Sequence, residues 1–342
     1  MPFAQHFELH LRNLAAVTPE LKLPAAWLSI GASLIIYTVN LIAAATAATV
    51  SPASRPEMEL MARQPLFAAG AAALFLFGLV ADAFLLLRVA EARSLPAARR
   101  KPVLKVGAKP WDIPELAQVA LTLLAVFLGS SLVFWLVVRL MKLNEAAATP
   151  WLVLMELLLR IAALAGIVVY LRRRRAECSQ AFGLRAELPP SAMLTGALFY
   201  VASIPPVILV SLVWGRICRA VGIEPAPQQV AELLVSSRSV IGLGLLVALT
   251  VAVAPLFEEV FFRGFAYPAL KQRLGVWRAL LIVSAVFALI HLHVPSFAPL
   301  LALAVGFALA YEWTGSLVAP VTMHVLFNAG NVAMLLYLRA HP

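Results

Sequence analysis

The chain has 342 residues, of which 62% are apolar and only 13% charged, and its mean hydropathy is +0.91. Soluble proteins carry about 25% charged residues, so this balance excludes a water-facing globular domain and implies a polytopic membrane protein. The formal charge of +10 resides in short basic clusters between apolar runs, without aromatic interleaving; that is the layout of topology signals, and it excludes a nucleic-acid partner.

The first 24 residues, with His6, Glu8, His10, Arg12, Glu20 and Lys22, are too polar and too mixed in charge for a signal peptide, so no cleavage is expected. Crossing ~30 Å of hydrocarbon takes about 20 helical residues. Nine runs meet or approach that length, over roughly residues 25–50, 66–87, 114–138, 150–171, 191–215, 240–257, 279–292, 297–313 and 317–337. The seventh and eighth are short, and His291-Leu292-His293-Val294-Pro295 leaves almost no loop between them. The expected fold is all-α, a transmembrane bundle of about nine helices. The basic, proline-bearing stretch from Arg88 to Trp111 divides it into an amino-terminal part, residues 1–110, with a two-helix hairpin, and a seven-helix core, residues 111–342. Seven basic residues from Arg88 to Lys109, five from Arg172 to Arg185 and four from Arg263 to Arg278 fall on one side of the bundle. That bias places the amino terminus in the cytoplasm of a cell membrane, and Glu258, Glu259 and Arg263 toward the cytoplasmic end of the sixth run. Cys178 and Cys218 imply neither a disulfide framework nor a thiolate metal site.

An ionisable side chain at the bilayer centre costs roughly 2.5 to 3.5 kcal/mol on insertion scales, so each one inside a run needs an explanation. Glu156 and Arg160, four apart in the fourth run, are expected to form an internal ion pair. Asp82 is expected to reach the interface or pair with Arg88, and Asn40 to make a helix contact. The last four runs hold more than such pairs account for. On a helix Glu259 and Arg263 face each other, whereas Glu258 points about 100° away; either Glu258 is then free to act as a base in a cavity that Pro255 helps to open, or the three residues form a solvated cap at the cytoplasmic helix end. Phe287 and His291 share a face, and a neutral imidazole binds metal or activates water beside a carboxylate. His293, two residues on, is expected to face elsewhere. His324 and Asn328 repeat the four-residue spacing, either as a polar clasp between helices or as N–H donors aimed at the oxyanion of an acyl-transfer intermediate.

The run Glu258-Glu259-x-x-Phe262-Arg263-Gly264, followed by Phe287-x-x-x-His291 and His324-x-x-x-Asn328, resembles the CAAX prenyl protease and bacteriocin-processing enzyme family of type II CAAX prenyl endopeptidase-like intramembrane proteases. The similarity covers roughly Trp111 to Leu338. It implies an intramembrane endopeptidase in which Glu258 and His291 activate the attacking water, Glu259 and Arg263 support the site, and His324 and Asn328 donate to the oxyanion. The implied substrate is a membrane-associated peptide or lipidated protein cleaved near the cytoplasmic face; eukaryotic members of the family trim prenylated CAAX tails. Zinc is the alternative to a cofactor-free mechanism, with Glu258, His291 and His324 as three ligands and an open water position. The HExxH helix is absent, and no cofactor is the favoured expectation. An ion- or proton-coupled transporter would also set Glu, His and Arg on facing helices, but the chain shows no repeated halves.

Overall fold

A computed structural model of the chain describes residues 65–94, 104–174, 177–184, 189–224 and 227–340. The first expected run, residues 25–50, and Asn40 within it lie outside these residues. The chain divides into two compact units, Met1–Val103 and Leu104–Pro342. In the first, α1 (Pro65–Ser94) carries an apolar span, and Arg88 bonds Glu91 rather than Asp82.

The second unit is a helical bundle of α2 (Ile113–Leu140), α3 (Glu145–Arg173), the single turn α4 (Cys178–Ala181), α5 (Pro189–Ala220), the short α6 (Gln229–Ser236), the long α7 (Val240–Leu274), α8 (Val276–Leu289), α9 (Phe297–Thr314) and α10 (Val318–Ala340). Among the described residues seven helices are long and apolar enough to cross a membrane, and the protein is a multi-pass membrane protein. Asp112 caps α2 with a full capping box, its side chain accepting from the Glu115 N–H while Glu115 accepts from the Asp112 N–H. No residue of α2 is buried. An apolar cavity of about 850 Å³ opens between α2 and α3, lined by Val133, Phe134, Trp151 and Leu158 among others. Glu156 and Arg160 form the expected ion pair in α3, with the guanidinium 5.7 Å from the Phe127 ring.

Two elements differ from the expected runs. The seventh is only the 14 residues Val276–Leu289, ~21 Å of helix, too short to cross the hydrocarbon. The sixth does not stop near residue 257 but continues for 35 residues to Leu274. It does so through two π segments, Leu249–Val253 and Val260–Ala266, each followed by a short α segment with a proline in its first turn, Pro255 and Pro268. Proline has no N–H to give the preceding turn, and a widened turn with i→i+5 bonding absorbs that gap without breaking the helix.

Residues 104–112, which the sequence suggests are only a linker, form an extended strap packed on the bundle. Val106 and Trp111 are buried in it. The Lys105 N–H donates to the Glu312 carbonyl at 2.8 Å, and Lys271 Nζ donates to the Val106 carbonyl at 2.6 Å. Glu312 itself is fully buried, its carboxylate accepting from Lys271 and from the Tyr267 hydroxyl, both at 2.5 Å.

Packing among α5, α9 and α10 leaves no slack at Gly196, where a Cβ would run into the Ala319 carbonyl oxygen and come within 2.9 Å of Thr322 Cβ. A carbonyl in a helix backbone does not move aside, so Gly196→Ala should destabilise the bundle by roughly 1 to 3 kcal/mol, the usual cost of overpacking. A thermal melt of the detergent-purified variant that matches wild type would contradict this packing.

Candidate active site

The polar residues singled out in the sequence come from two helices and one turn. α7 supplies Glu258, Glu259 and Arg263, the turn after α8 supplies His291, and α10 supplies His324 and Asn328; α9 packs beside them with Ala304 and Phe307. Arg263 and Glu259 are completely buried and joined at 3.0 Å, Arg263 Nη1 donating to Glu259 Oε1. The other terminal nitrogen, Nη2, donates to the Ala304 carbonyl of α9 at 2.8 Å. The guanidinium also lies between two rings, 4.8 Å from the Phe287 centroid and 5.0 Å from that of Phe307. A cation inside a membrane protein needs such surroundings, and here a carboxylate, a peptide dipole and two π faces supply them.

Glu259 has a second partner that the i,i+4 spacing did not reveal. Its Oε1 also accepts from His324 Nδ1 at 2.9 Å. An ionised carboxylate only accepts, so Nδ1 carries the proton and Nε2 is the nitrogen left to face the other way. There it lies 3.8 Å from Glu258 Oε2. The two adjacent carboxylates thus separate as the 100° helical turn requires, Glu259 fully buried and Glu258 with 15% of its side chain accessible. Yet both end on the same imidazole, at opposite nitrogens. The His324 ring stacks on Phe307, centroids 4.5 Å apart, so one phenyl ring contacts both the cation and the imidazole.

His291 lies in the turn just past α8 rather than on the helix. The four-residue relation to Phe287 still holds, because Nδ1 donates to the Phe287 carbonyl at 2.7 Å. That bond satisfies one of the terminal carbonyls of α8 and leaves Nε2 as the acceptor nitrogen. Phe287 ties the histidines together, its ring centroid 4.9 Å from that of His291 and 5.9 Å from that of His324. His293 turns instead to the Ser296 hydroxyl, 2.8 Å away.

Asn328 and His324 do not share a partner. Asn328 Nδ2 donates to the Thr250 carbonyl of α7 at 2.8 Å. The reason lies in the first π segment. In an α-helix the Thr250 carbonyl would accept from the Ala254 N–H, but that N–H goes to Leu249. In the π register the next donor would be residue 255, which is proline and has none. A buried carbonyl without a donor is costly, and the Asn328 carboxamide fills the vacancy. One of its two N–H groups is used in this way; the second is a donor still to be employed.

Zinc was the alternative to a cofactor-free site, with Glu258, His291 and His324 as its ligands. Among the described residues no three His, Cys, Asp or Glu side chains converge as a metal site. Thr250, Ala304 and Phe307 are the contributors that sequence reasoning missed. None carried a readable signal: in a regular α-helix Pro255 would free the carbonyl of Val251, four residues back, and not that of Thr250.

The fold and the site together define a polytopic helical membrane protein with a buried polar centre built by its last four helices. Residues 241–330 match the family model described as type II CAAX prenyl endopeptidase Rce1-like, and over these residues the chain carries a domain of that family. The match spans 90 of the 342 residues. Comparison with curated proteins and with solved structures found no match.

Removing the cation from this centre should be expensive. Arg263→Ala leaves Glu259 buried with one partner fewer, and the expected cost is on the order of 3 to 5 kcal/mol, that of breaking a buried ion pair. Denaturant titration of Arg263→Ala and of the Glu259→Gln, Arg263→Ala double variant checks it: the second variant should recover part of the loss, and equal losses would show that the pair is not the cause.

Proposed function

We propose that the protein is an endopeptidase that hydrolyses a peptide bond within the membrane by a water held between Glu258 and His291. The observation that carries this reading is the order Arg263, Glu259, His324, Glu258, in which a buried ion pair fixes one imidazole nitrogen and presents the other to an accessible carboxylate. Glu258 takes a proton from the water as its oxygen attacks the substrate carbonyl, and His291 Nε2 orients the water by accepting its other hydrogen. The C–N bond then breaks, and the proton held by Glu258 goes to the leaving amine.

The oxyanion formed in between needs donors. Asn328 offers its second N–H, with its carboxamide already oriented by the Thr250 carbonyl. His324 offers a donor at Nε2 only as the imidazolium, since its Nδ1–H is committed to Glu259. The positive charge so formed then faces the Glu259 carboxylate, the arrangement by which a buried acid supports a catalytic histidine. Every group in this scheme belongs to the chain.

The basic residues gather at the end of the bundle where α3 and α7 finish, with Arg172, Arg173, Lys271 and Arg273, and the excess of Lys and Arg favours that end, and the amino terminus, as cytoplasmic. The substrate is a membrane-embedded or lipidated protein entering from that side, a reading supported by the Rce1-like family match.

Glu258→Gln preserves size and removes the basic oxygen, and turnover of a membrane-peptide substrate should fall by about 10² to 10⁴, as for loss of a general base, while the variant still inserts and folds. Near-full activity would remove Glu258 from the mechanism. Pro255→Ala tests the oxyanion side without touching a reacting group. It returns an N–H to the turn that can compete for the Thr250 carbonyl, so Asn328 loses its anchor; kcat should drop by up to the ~10² to 10³ of a lost oxyanion donor with KM little changed, and wild-type kinetics would detach Asn328 from the reaction.

A further inference from the structure

The strap at residues 104–112 touches α7, the helix that carries the site, at the second π segment and again beyond it. Trp111 is 2% exposed, and its indole N–H donates to the Phe265 carbonyl at 2.9 Å. Its ring lies flat on that of Phe265, with centroids 5.0 Å apart and planes 10° from parallel. Phe265 is fully buried and sits two residues beyond Arg263, in the π segment Val260–Ala266; Tyr170 of α3 closes its remaining side edge-on at 5.7 Å. The strap is also fastened beyond the π segment, where Gln272 Nε2 donates to the Trp111 and Lys109 carbonyls at 3.2 and 3.3 Å and Lys271 reaches Val106.

These fastenings lie at the end of, and just beyond, a turn that is rare by its own energetics. A π turn holds one residue more than an α turn, and its relaxation to α would rotate everything on one side of it by about 100° relative to the other. Arg263 lies inside the segment and Glu259 immediately before it. Such a rotation would leave Arg263 four residues from Glu259 but turn it relative to α9, away from the Ala304 carbonyl and from the Phe287 and Phe307 rings, and the carboxylate that positions His324 Nδ1 would lose the fixed cation beside it. The wide turn therefore needs support from outside the helix, and the indole supplies it by occupying a carbonyl and covering a ring in the segment's last residues.

We propose that Trp111, far from the helices that bear the reacting groups in sequence, is a positioning residue of the reaction: it holds the π turn that seats Arg263 against the Ala304 carbonyl of α9, and with it the buried pair on which His324 is oriented. The role in catalysis rests on the hydrolytic reading above, whereas the hold on the π turn does not, and the two are tested by different measurements. Trp111→Phe keeps a stacking ring and removes the N–H; Trp111→Ala removes both. In the full detergent-purified chain, amide hydrogen exchange across Val260–Ala266 should speed up at least several-fold in Trp111→Phe, with α9 and α10 unaffected, and kcat should fall roughly tenfold at constant KM, the equivalent of about one hydrogen bond lost. Unchanged exchange in the π segment, or a rise in KM with kcat retained, overturns the proposal. Should the wild-type chain show no peptidase turnover, the hydrolytic reading fails, and with it the catalytic role of Trp111; the exchange measurement still decides the hold on the turn. Trp111→Phe answers the question even if Trp111→Ala does not fold.

Discussion

A carboxylate with no exposure at all, placed among apolar helices, dictates much of what surrounds it. Glu259 can keep its charge only if donors reach it, and a single oxygen accepts from both Arg263 and His324. Each donor then makes its own demands. Arg263 has more N–H groups than one oxygen can take, so it draws α9 in through the Ala304 carbonyl and fills its two faces with Phe287 and Phe307. His324 brings α10 to the same point. Three helices are thus located by the neutralisation of one charge, and the nitrogen presented to Glu258 is a by-product of that neutralisation. Specificity of structure and chemical competence have one cause here.

The parts of this arrangement that were legible in the sequence are those governed by local periodicity. The apolar runs in the described residues, the pairing of Glu259 with Arg263 and the divergence of Glu258 follow from 3.6 residues per turn and the length of a bilayer. What the sequence hid is where the period itself changes. Pro255 reads as a kink, and nothing in composition distinguishes a kink from a π turn that keeps the helix running. The Asn328 to Thr250 bond depends on that distinction. Phe307 was hidden for another reason, since an aromatic residue in an apolar helix carries no mark of what it will stack against. The strap was read as a linker because its lysines and prolines are those of a linker; its contacts with Glu312 and Phe265 join residues more than 150 positions apart.

The polar network is also graded in its access to water. Glu259 and Arg263 have none, His324 little, and Glu258 more. A charge kept from water holds its geometry because no solvent competes for its partners, whereas a base must meet its water molecule. In the proposed reaction the neighbouring glutamates divide these duties by a single step along the helix.

The two π segments have a bearing on how this chain can vary. An ordinary helix accepts a change of side chain far more readily than a change of length, but a π turn is itself a stored extra residue, and deleting one residue there would convert it to a regular α turn while shifting all that follows on the far side. Val260–Ala266 could lose a residue without losing any helix, and would turn all that follows relative to α9 and the strap in doing so. Homologous sequences that keep this chemistry should therefore show no alignment gaps between Leu249 and Ala266, even where individual side chains have drifted, while the connection between α5 and α6 remains open to insertion. Along this stretch it is the count of residues, as much as their identity, that is under constraint.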